Sequence, residues 1–255
     1  LASVAGPLRG HDPVERFLNR LESFEPLSPA ARNVVRRAVQ RGPLVSAEKE
    51  MHVEALPDVT IVLNGWICHF RLLDNGRRQI TSIMLPGDFV DFGFLVGRPA
   101  QTQFLASAPS QLGRIRPRHF TELAEEFPEI MRAALQAAST EAAISRERLI
   151  SLGLRSAIER VSHLFCELFY RLDAVGLVAG DNCYDLPMTQ ADLGAALGLS
   201  TVHVNRTVQV LRKRGIITMQ NGRLWIEDLR ELAGLAGFDP AYLSSVRPAG
   251  TDAFS

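Results

Sequence analysis

Along this chain the spacing of apolar positions changes character three times. From Pro13 to Ser23, Val14, Phe17, Leu18 and Leu21 recur at helical spacing, which predicts a short amphipathic helix. A second short helix is expected over PAARNVVRRAVQ, residues 29–40, with Ser28 placed to cap its first amides and Gly42-Pro43 to stop it. From residue 44 to about 116 the texture is different. The runs VTIVL, WICHFRLL and QITSIML are rich in β-branched and aromatic residues. Turn signals separate them at 56–58, 64–65, 74–76 and 86–88. Strands and turns at this spacing predict a small antiparallel sandwich or barrel, with DNGRR at 74–78 as a hairpin tip.

After Pro117 the helical period returns. Residues 128–151 predict one long helix carrying two stripes. Met131, Leu135, Ala138, Ala142, Ser145, Leu149 and Leu152 follow a 4-3 alternation, the seam that a second helix fits. Ile130, Ala134, Ala137 and Ile144 form another stripe that can pack on the sandwich. The expectation is a helix serving a domain core and a partner copy together; the alternative is one wide core-facing face. Gly153 is read as a hinge, with a domain boundary near 152. An amphipathic helix over 155–172 follows, then a loop, VGLVAGDNCYDLP.

The stretch TQADLGAALGLSTVHVNRTVQVLRKRG, residues 189–215, carries the most information. Thr189 can cap a helix with Asp192 three residues on, and Leu193, Ala196 and Leu197 face inward. Gly198 permits a tight turn, and Ser200 caps a second helix in which Val204, Val208 and Leu211 fall on one face. The opposite face holds Val202, Arg206 and Gln209, flanked by Thr201 and Asn205. IITMQNGRLWI then reads as a two-stranded wing with an Asn221-Gly222 tip. This order of signals predicts a winged helix-turn-helix.

Charge changes the picture locally rather than globally. Lys plus Arg and Asp plus Glu both total 28, so the chain is formally neutral. Residues 200–215 nevertheless contain Arg206, Arg212, Lys213 and Arg214 and no acid. A phosphate backbone requires such a patch, and the polar first half of the helix can read base edges. We therefore expect double-stranded DNA as partner, contacted by Thr189, Gln190, Ser200, Thr201, Val202, His203, Asn205, Arg206, Gln209, Arg212 and Lys213. Val202 suits a thymine methyl, Asn205 an adenine and Arg206 a guanine, while His203 lies to one side, facing phosphate. The rival expectation is a ligand-binding or docking module whose winged helix does not read sequence.

Cys68, Cys166 and Cys183 are sparse and unclustered, which suits a reducing compartment over a disulfide framework. An exposed Cys183 would be open to oxidation, although Asp181 and Asp185 beside it disfavour the thiolate. His163 and Cys166 share a helix face without further ligands, and Cys68 and His69 point to opposite faces of a strand; no metal site is predicted. No apolar run approaches the ~18–20 residues of a membrane span, and we expect a cytoplasmic protein. No phosphate loop, nucleophile elbow or zinc-hydrolase motif is present, so no catalytic residue is assigned.

A long helix, a boundary, then LPMTQADLGAALGLSTVHVNRTVQVLRKRGII resembles the Crp/Fnr superfamily of bacterial transcription regulators. LNGWICHFRLLDNGRRQITSIMLPGDF resembles that family's effector-binding β-roll. The likeness covers about residues 13–245. It implies an α+β fold: an antiparallel β-roll of the cyclic-nucleotide-binding type with a dimerisation helix over 1–152, a winged helix over 153–245 and a flexible tail over 246–255. It implies a homodimer joined by the 128–151 helix, a palindromic operator, and RNA polymerase as a partner. LPGDF resembles the turn before the family's nucleotide pocket, so Gly87, Asp88, Phe89, Phe92, Arg98, Gln101 and Thr102 are candidate effector-pocket residues. The cyclic-AMP-binding members place Glu, Arg and Ser where Phe92, Gln101 and Thr102 stand here. Burying a phosphate without its cation is costly, so cyclic AMP is not expected. Phe89, Phe92, Phe94, Leu95 and Phe104 either fill the roll or line an apolar pocket; filling is the expectation. The iron–sulfur branch needs an N-terminal cysteine cluster, and no cysteine precedes Cys68. No cofactor is predicted. In the recognition helix Val202 replaces the family's common Glu while Arg206 keeps its arginine. LSTVHVNRT resembles a branch frequent in alphaproteobacteria.

Overall fold

In the computed structural model, residues 12–53, 58–97 and 103–243 are described. The chain opens with α1 (Pro13–Glu22) and α2 (Pro29–Arg41). Asp12 and Ser28 cap them, accepting from the amides of Val14 and Ala31, and a proline occupies the first position of each. Among the described residues seven strands follow: β1 (Leu44–Ala47), β2 (His52–Val53), β3 (Val59–Asn64), β4 (Ile67–Leu72), β5 (Arg78–Met84), β6 (Gln103–Ala106) and β7 (Ser110–Ile115). They form two antiparallel sheets, ordered β1-β7-β3 and β2-β6-β4-β5. Alternate side chains of the facing sheets enclose a core of Ala47, Val53, Val62, Ile67, Met84, Phe104, Ala106 and Leu112. This is the expected sandwich-like roll.

Helices α3 (Pro117–Glu126) and α4 (Pro128–Leu154) complete the N-terminal half. A second core joins them to α1, α2 and β3 through Phe17, Leu18, Leu21, Val35, Val39, Ile61, Phe120 and Ile130. The aromatic set reads differently from the sequence expectation. Of these, Phe104 fills the roll; Phe89, Phe92 and Phe94 turn outward into this helical core, in tilted and edge-on ring contacts that run from Phe17 to Phe120.

The remaining elements are α5 (Ala157–Asp173), β8 (Cys183–Asp185), α6 (Gln190–Leu197), α7 (Thr201–Lys213), β9 (Ile217–Gln220), β10 (Arg223–Ile226) and α8 (Leu229–Ala236). Helix α4 passes straight through Gly153, so the hinge lies later. The break falls at Arg155 and Ser156, both extended, where Ser156 and Glu159 form a capping box that starts α5. The third core crosses this break. Trp66, Cys68, Phe70, Ile80 and Ile83 of the roll, Val161, Phe165 and Leu168 of α5, and Leu193, Leu211 and Leu232 beyond it form one continuous apolar cluster. Part of the expected loop is also a strand: β8 pairs with β10, giving a three-stranded wing sheet ordered β8-β10-β9.

Candidate nucleic-acid interface and its contact with the roll

The helix-turn-helix is built from two caps and a close approach. Thr189 Oγ1 accepts from the Asp192 amide while the Asp192 carboxylate accepts from the Thr189 amide, closing a capping box on α6. Ser200 Oγ accepts from the His203 amide and starts α7. Between them Gly198 takes φ +65°, and a Cβ on Gly194 would lie 2.6 Å from the Leu199 carbonyl oxygen. Gly194 thus lets the turn at Leu199 fold back against α6, a role that spacing alone did not single out. The wing tip uses Asn221 and Gly222 at φ 52° and 73°, the pair a tight hairpin turn demands.

Val204, Val208 and Leu211 are buried, which turns Thr201, Val202, His203, Asn205, Arg206 and Gln209 to solvent. Val202 is 62 % exposed, on the same outward face as Thr201, Asn205 and Arg206. Arg206, Arg212, Lys213 and Arg214 are exposed and form no ion pair among the described residues. Arg223, at the wing, differs: its Nε lies 2.9 Å from Asp185 Oδ1, so its charge is largely offset. Asn205 is tethered, its Nδ2 donating to Gln190 Oε1 at 3.1 Å. The capping hydroxyls of Thr189 and Ser200 are engaged by the helix ends, leaving backbone amides of those turns as their route to phosphate.

The roll reaches this unit directly. Arg78, on the β4–β5 hairpin, pairs with Asp192, and Gln79 Nε2 approaches the Ala196 carbonyl at 3.5 Å. Arg160 of α5 donates to the Leu197 and Leu152 carbonyls at 3.1 and 3.0 Å.

Of the candidate effector residues, Arg98, Gln101 and Thr102 lie outside the described residues. Gly87, Asp88, Phe89 and Phe92 lie outside the roll interior, lining a narrow cleft against Arg20 of α1, Ala137, Thr140 and Ile144 of α4, and Arg171 of α5. The Gly87 amide is spent on the Val62 carbonyl at 2.8 Å. Asp88 is the centre of an ion network that the sequence did not reveal. Its carboxylate meets Arg20 Nε at 3.2 Å, Arg171 Nη2 at 2.7 Å and the Leu85 amide at 2.9 Å. Arg171 also binds Glu167 Oε1 at 2.9 Å and donates to the Ile83 carbonyl at 2.7 Å, and Glu167 in turn meets Arg148 at 3.2 Å. Burial alone would raise the Asp88 and Glu167 carboxyls; the guanidiniums of Arg171 with Arg20, and of Arg148 with Arg171, hold them below their ordinary range. Glu141, bonded to Ser82, is raised by burial despite Arg171 and Arg148.

The long helix has two faces. Ile130, Ala134, Ala137 and Ile144 are buried. On the seam, Leu135 and Leu149 are 53 % and 69 % exposed, Ala142 and Ser145 are exposed, and Met131, Ala138 and Leu152 are half-buried. The last turn adds Ile150 and Leu154, the latter 84 % exposed. Leu154 lay past the helix end that the sequence suggested.

All three thiols are buried. Cys183 is not an exposed loop residue: strand pairing opposite Trp225 covers it, and burial, with Asp181, pushes its thiol up to about 11. Burial pushes Cys68 to about 11 and Cys166 to about 12. His163 is buried beside Phe238 and Tyr242 with Nε2 3.5 Å from Glu147, and burial depresses it to about 4. His69 stacks on Phe104 in the roll. Among the described residues no group of three or more His, Cys, Asp or Glu is placed to hold a metal, and no helix is long and apolar enough to cross a membrane.

Two family models match: a cyclic nucleotide-binding domain over residues 52–127 and a Crp-like helix-turn-helix domain over 159–235. Among curated relatives, the nitrogen fixation regulation protein FixK of Bradyrhizobium diazoefficiens is 30 % identical, the alignment covering 69 % of this chain and 72 % of that protein. The transcriptional activator protein FnrL of Cereibacter sphaeroides is 28 % identical over 71 % of this chain and 73 % of its own. Among solved structures, FixK2 from Bradyrhizobium japonicum aligns with a TM-score of 0.67 at 25 % identity, covering 76 % of this chain and 96 % of that one.

Proposed function

Because the chain belongs to the Crp/Fnr family and is a DNA-binding transcription regulator with a cyclic-nucleotide-binding-like roll, we propose that it works as a cytoplasmic homodimer on a palindromic operator. The exposed seam of α4 joins two copies. Each α7 enters a major groove of one half-site, as expected for a two-fold symmetric reader. The observation that carries this reading is the outward face of α7: a polar first half, an exposed Val202, and four cations that no acid neutralises among the described residues.

In that arrangement Val202 packs on a thymine methyl, Asn205 pairs with an adenine and Arg206 takes the O6 and N7 of a guanine. His203, Gln209, Arg212 and Lys213, with the amide-rich starts of α6 and α7 at Thr189, Gln190, Ser200 and Thr201, hold phosphates. The domain division falls at the helix break at 155–156, with the roll and α4 on one side and the winged helix on the other. A signal at the Gly87–Phe89 turn would reach α5 through Asp88 and Arg171, and the DNA-binding unit through the hairpin contact at Asp192. RNA polymerase is the expected downstream partner.

Selection of bound duplexes from a random pool, without added ligand, tests the reading. The expected result is an enriched palindrome with half-sites about one helical turn apart. Arg206→Ala should cost ~1–3 kcal/mol and relax one base position. Uniform weakening with no change in the selected sequence would assign Arg206 to phosphate instead.

A further inference from the structure

Asn205 is the only described side chain of the α7 reading face whose amide is held by a residue of the preceding helix. Its Nδ2 donates one hydrogen to Gln190 Oε1 at 3.1 Å, across the turn between α6 and α7. Gln190 is itself half-buried at the first position of α6, where the Thr189–Asp192 capping box fixes the helix start. The acceptor therefore comes from a rigid element. Asn205 stands on a helix clamped by Val204, Val208 and Leu211.

This bond limits what Asn205 can offer a base. An asparagine amide has two N–H donors and one carbonyl acceptor. With one hydrogen given to Gln190, a single N–H and the Oδ1 remain. That pair is the complement of adenine in the major groove, which presents N7 as acceptor and the N6 amino group as donor. Guanine presents two acceptors, N7 and O6, and no donor at that edge. An untethered asparagine can aim both N–H groups at guanine; a tethered one has a single N–H to give.

We propose that Gln190 is a positioning residue that sets base preference through Asn205, restricting that position of the half-site to adenine. The proposal rests on the reading that α7 enters a major groove. It goes further by assigning Gln190 a role in selectivity, in addition to contact with the backbone. The Gln190 Nε2 hydrogens, which have no partner among the described residues, remain for a phosphate.

Four proteins are compared in the random-pool selection, as full chains: wild type, Asn205→Ala, Gln190→Ala and Gln190→Glu. The position read by Asn205 is the one whose preference Asn205→Ala removes. Wild type should select adenine there. Gln190→Ala should admit guanine, lowering the adenine-to-guanine ratio about tenfold or more, with the rest of the half-site unchanged. Gln190→Glu keeps the acceptor and should keep adenine, while weakening binding at every sequence because the Nε2 donor is gone. A merely structural role for Gln190 would move all positions together, and Glu would not restore the preference. Adenine retained at wild-type strength in Gln190→Ala overturns the proposal and leaves the DNA-reading assignment standing. A wild type that prefers another base at that position overturns it as well. No enriched palindrome from wild type would overturn both.

Discussion

Truncating Leu149 to alanine measures how much of the α4 seam is a contact between copies. Leu149 is 69 % exposed in the single chain. Fully burying a leucine is worth ~1.5–3 kcal/mol, so covering the exposed fraction is worth ~1–2 kcal/mol per copy. A two-fold interface uses each residue twice, which gives ~2–4 kcal/mol per dimer. Alanine keeps the Cβ, so ~2–3 kcal/mol is the expected loss, or a dimer dissociation constant weakened about 30- to 150-fold. Sedimentation equilibrium over a range of protein concentrations reads this directly. Leu44→Ala is the control, since Leu44 is 57 % exposed on β1 of the roll, away from the seam. Equal dissociation constants for wild type and Leu149→Ala would refute the assignment, as would equal losses in Leu149→Ala and the control.

Three other outcomes follow from the interior. Arg171→Met breaks two buried ion pairs at once, leaving Asp88 only Arg20 and Glu167 only Arg148, and should lower unfolding stability by ~3–5 kcal/mol in denaturant titration; a loss under ~1 kcal/mol would mean the network is not formed. His163 is depressed by burial to about 4 from an ordinary 6.5, so the native state holds fewer protons than the unfolded one in that window. Its contribution is present above 6.5 and lost as pH falls towards 4, roughly 3 kcal/mol in all; chemical denaturation from pH 7 to 4.5 should show this slope, and His163→Gln should flatten it. The native protein should expose no reactive thiol to Ellman's reagent, since Cys68, Cys166 and Cys183 are buried and their thiols raised; rapid native labelling of Cys183 would contradict the strand assignment of residues 183–185.

What the sequence disclosed and what it hid divide along the range of the interactions. Caps at Ser28, Thr189 and Ser200 act within three residues, and all three were readable. The buried face of α7 followed from a spacing of four and three. The two faces of α4 were likewise visible, but not its end: a glycine costs a helix only ~1 kcal/mol, the helix runs on through Gly153 to Leu154, and the Ser156–Glu159 capping box marks the stop. Asp88 illustrates the opposite case. As part of a familiar turn it invited an effector role, whereas its partners, Arg20 and Arg171, lie 68 and 83 residues away and leave no local trace. Strand β8 is three residues long without alternation, and only its pairing with β10 creates it. Phe89, Phe92 and Phe94 fit no single period, and the expectation that they fill the roll fails because Phe17 of α1 and Phe120 of α3 draw them to the helical side. The bond from Asn205 to Gln190 joins residues of neighbouring helices that spacing placed side by side only loosely.

The continuous core through α5 bears on how such a protein can be recombined. Phe165, Leu168 and Val161 belong at once to the roll and to the winged helix. A chimera that exchanges the DNA-reading half at the break after Leu154 would pair an α5 from one parent with a β4–β5 face from another. Its success would depend on the match at Phe70, Ile80 and Ile83 rather than on the length of the connection. Modules joined by a linker drift apart in operator choice and signal independently; here the two specificities are packed in the same interior, and a change in one face of α5 is felt by both.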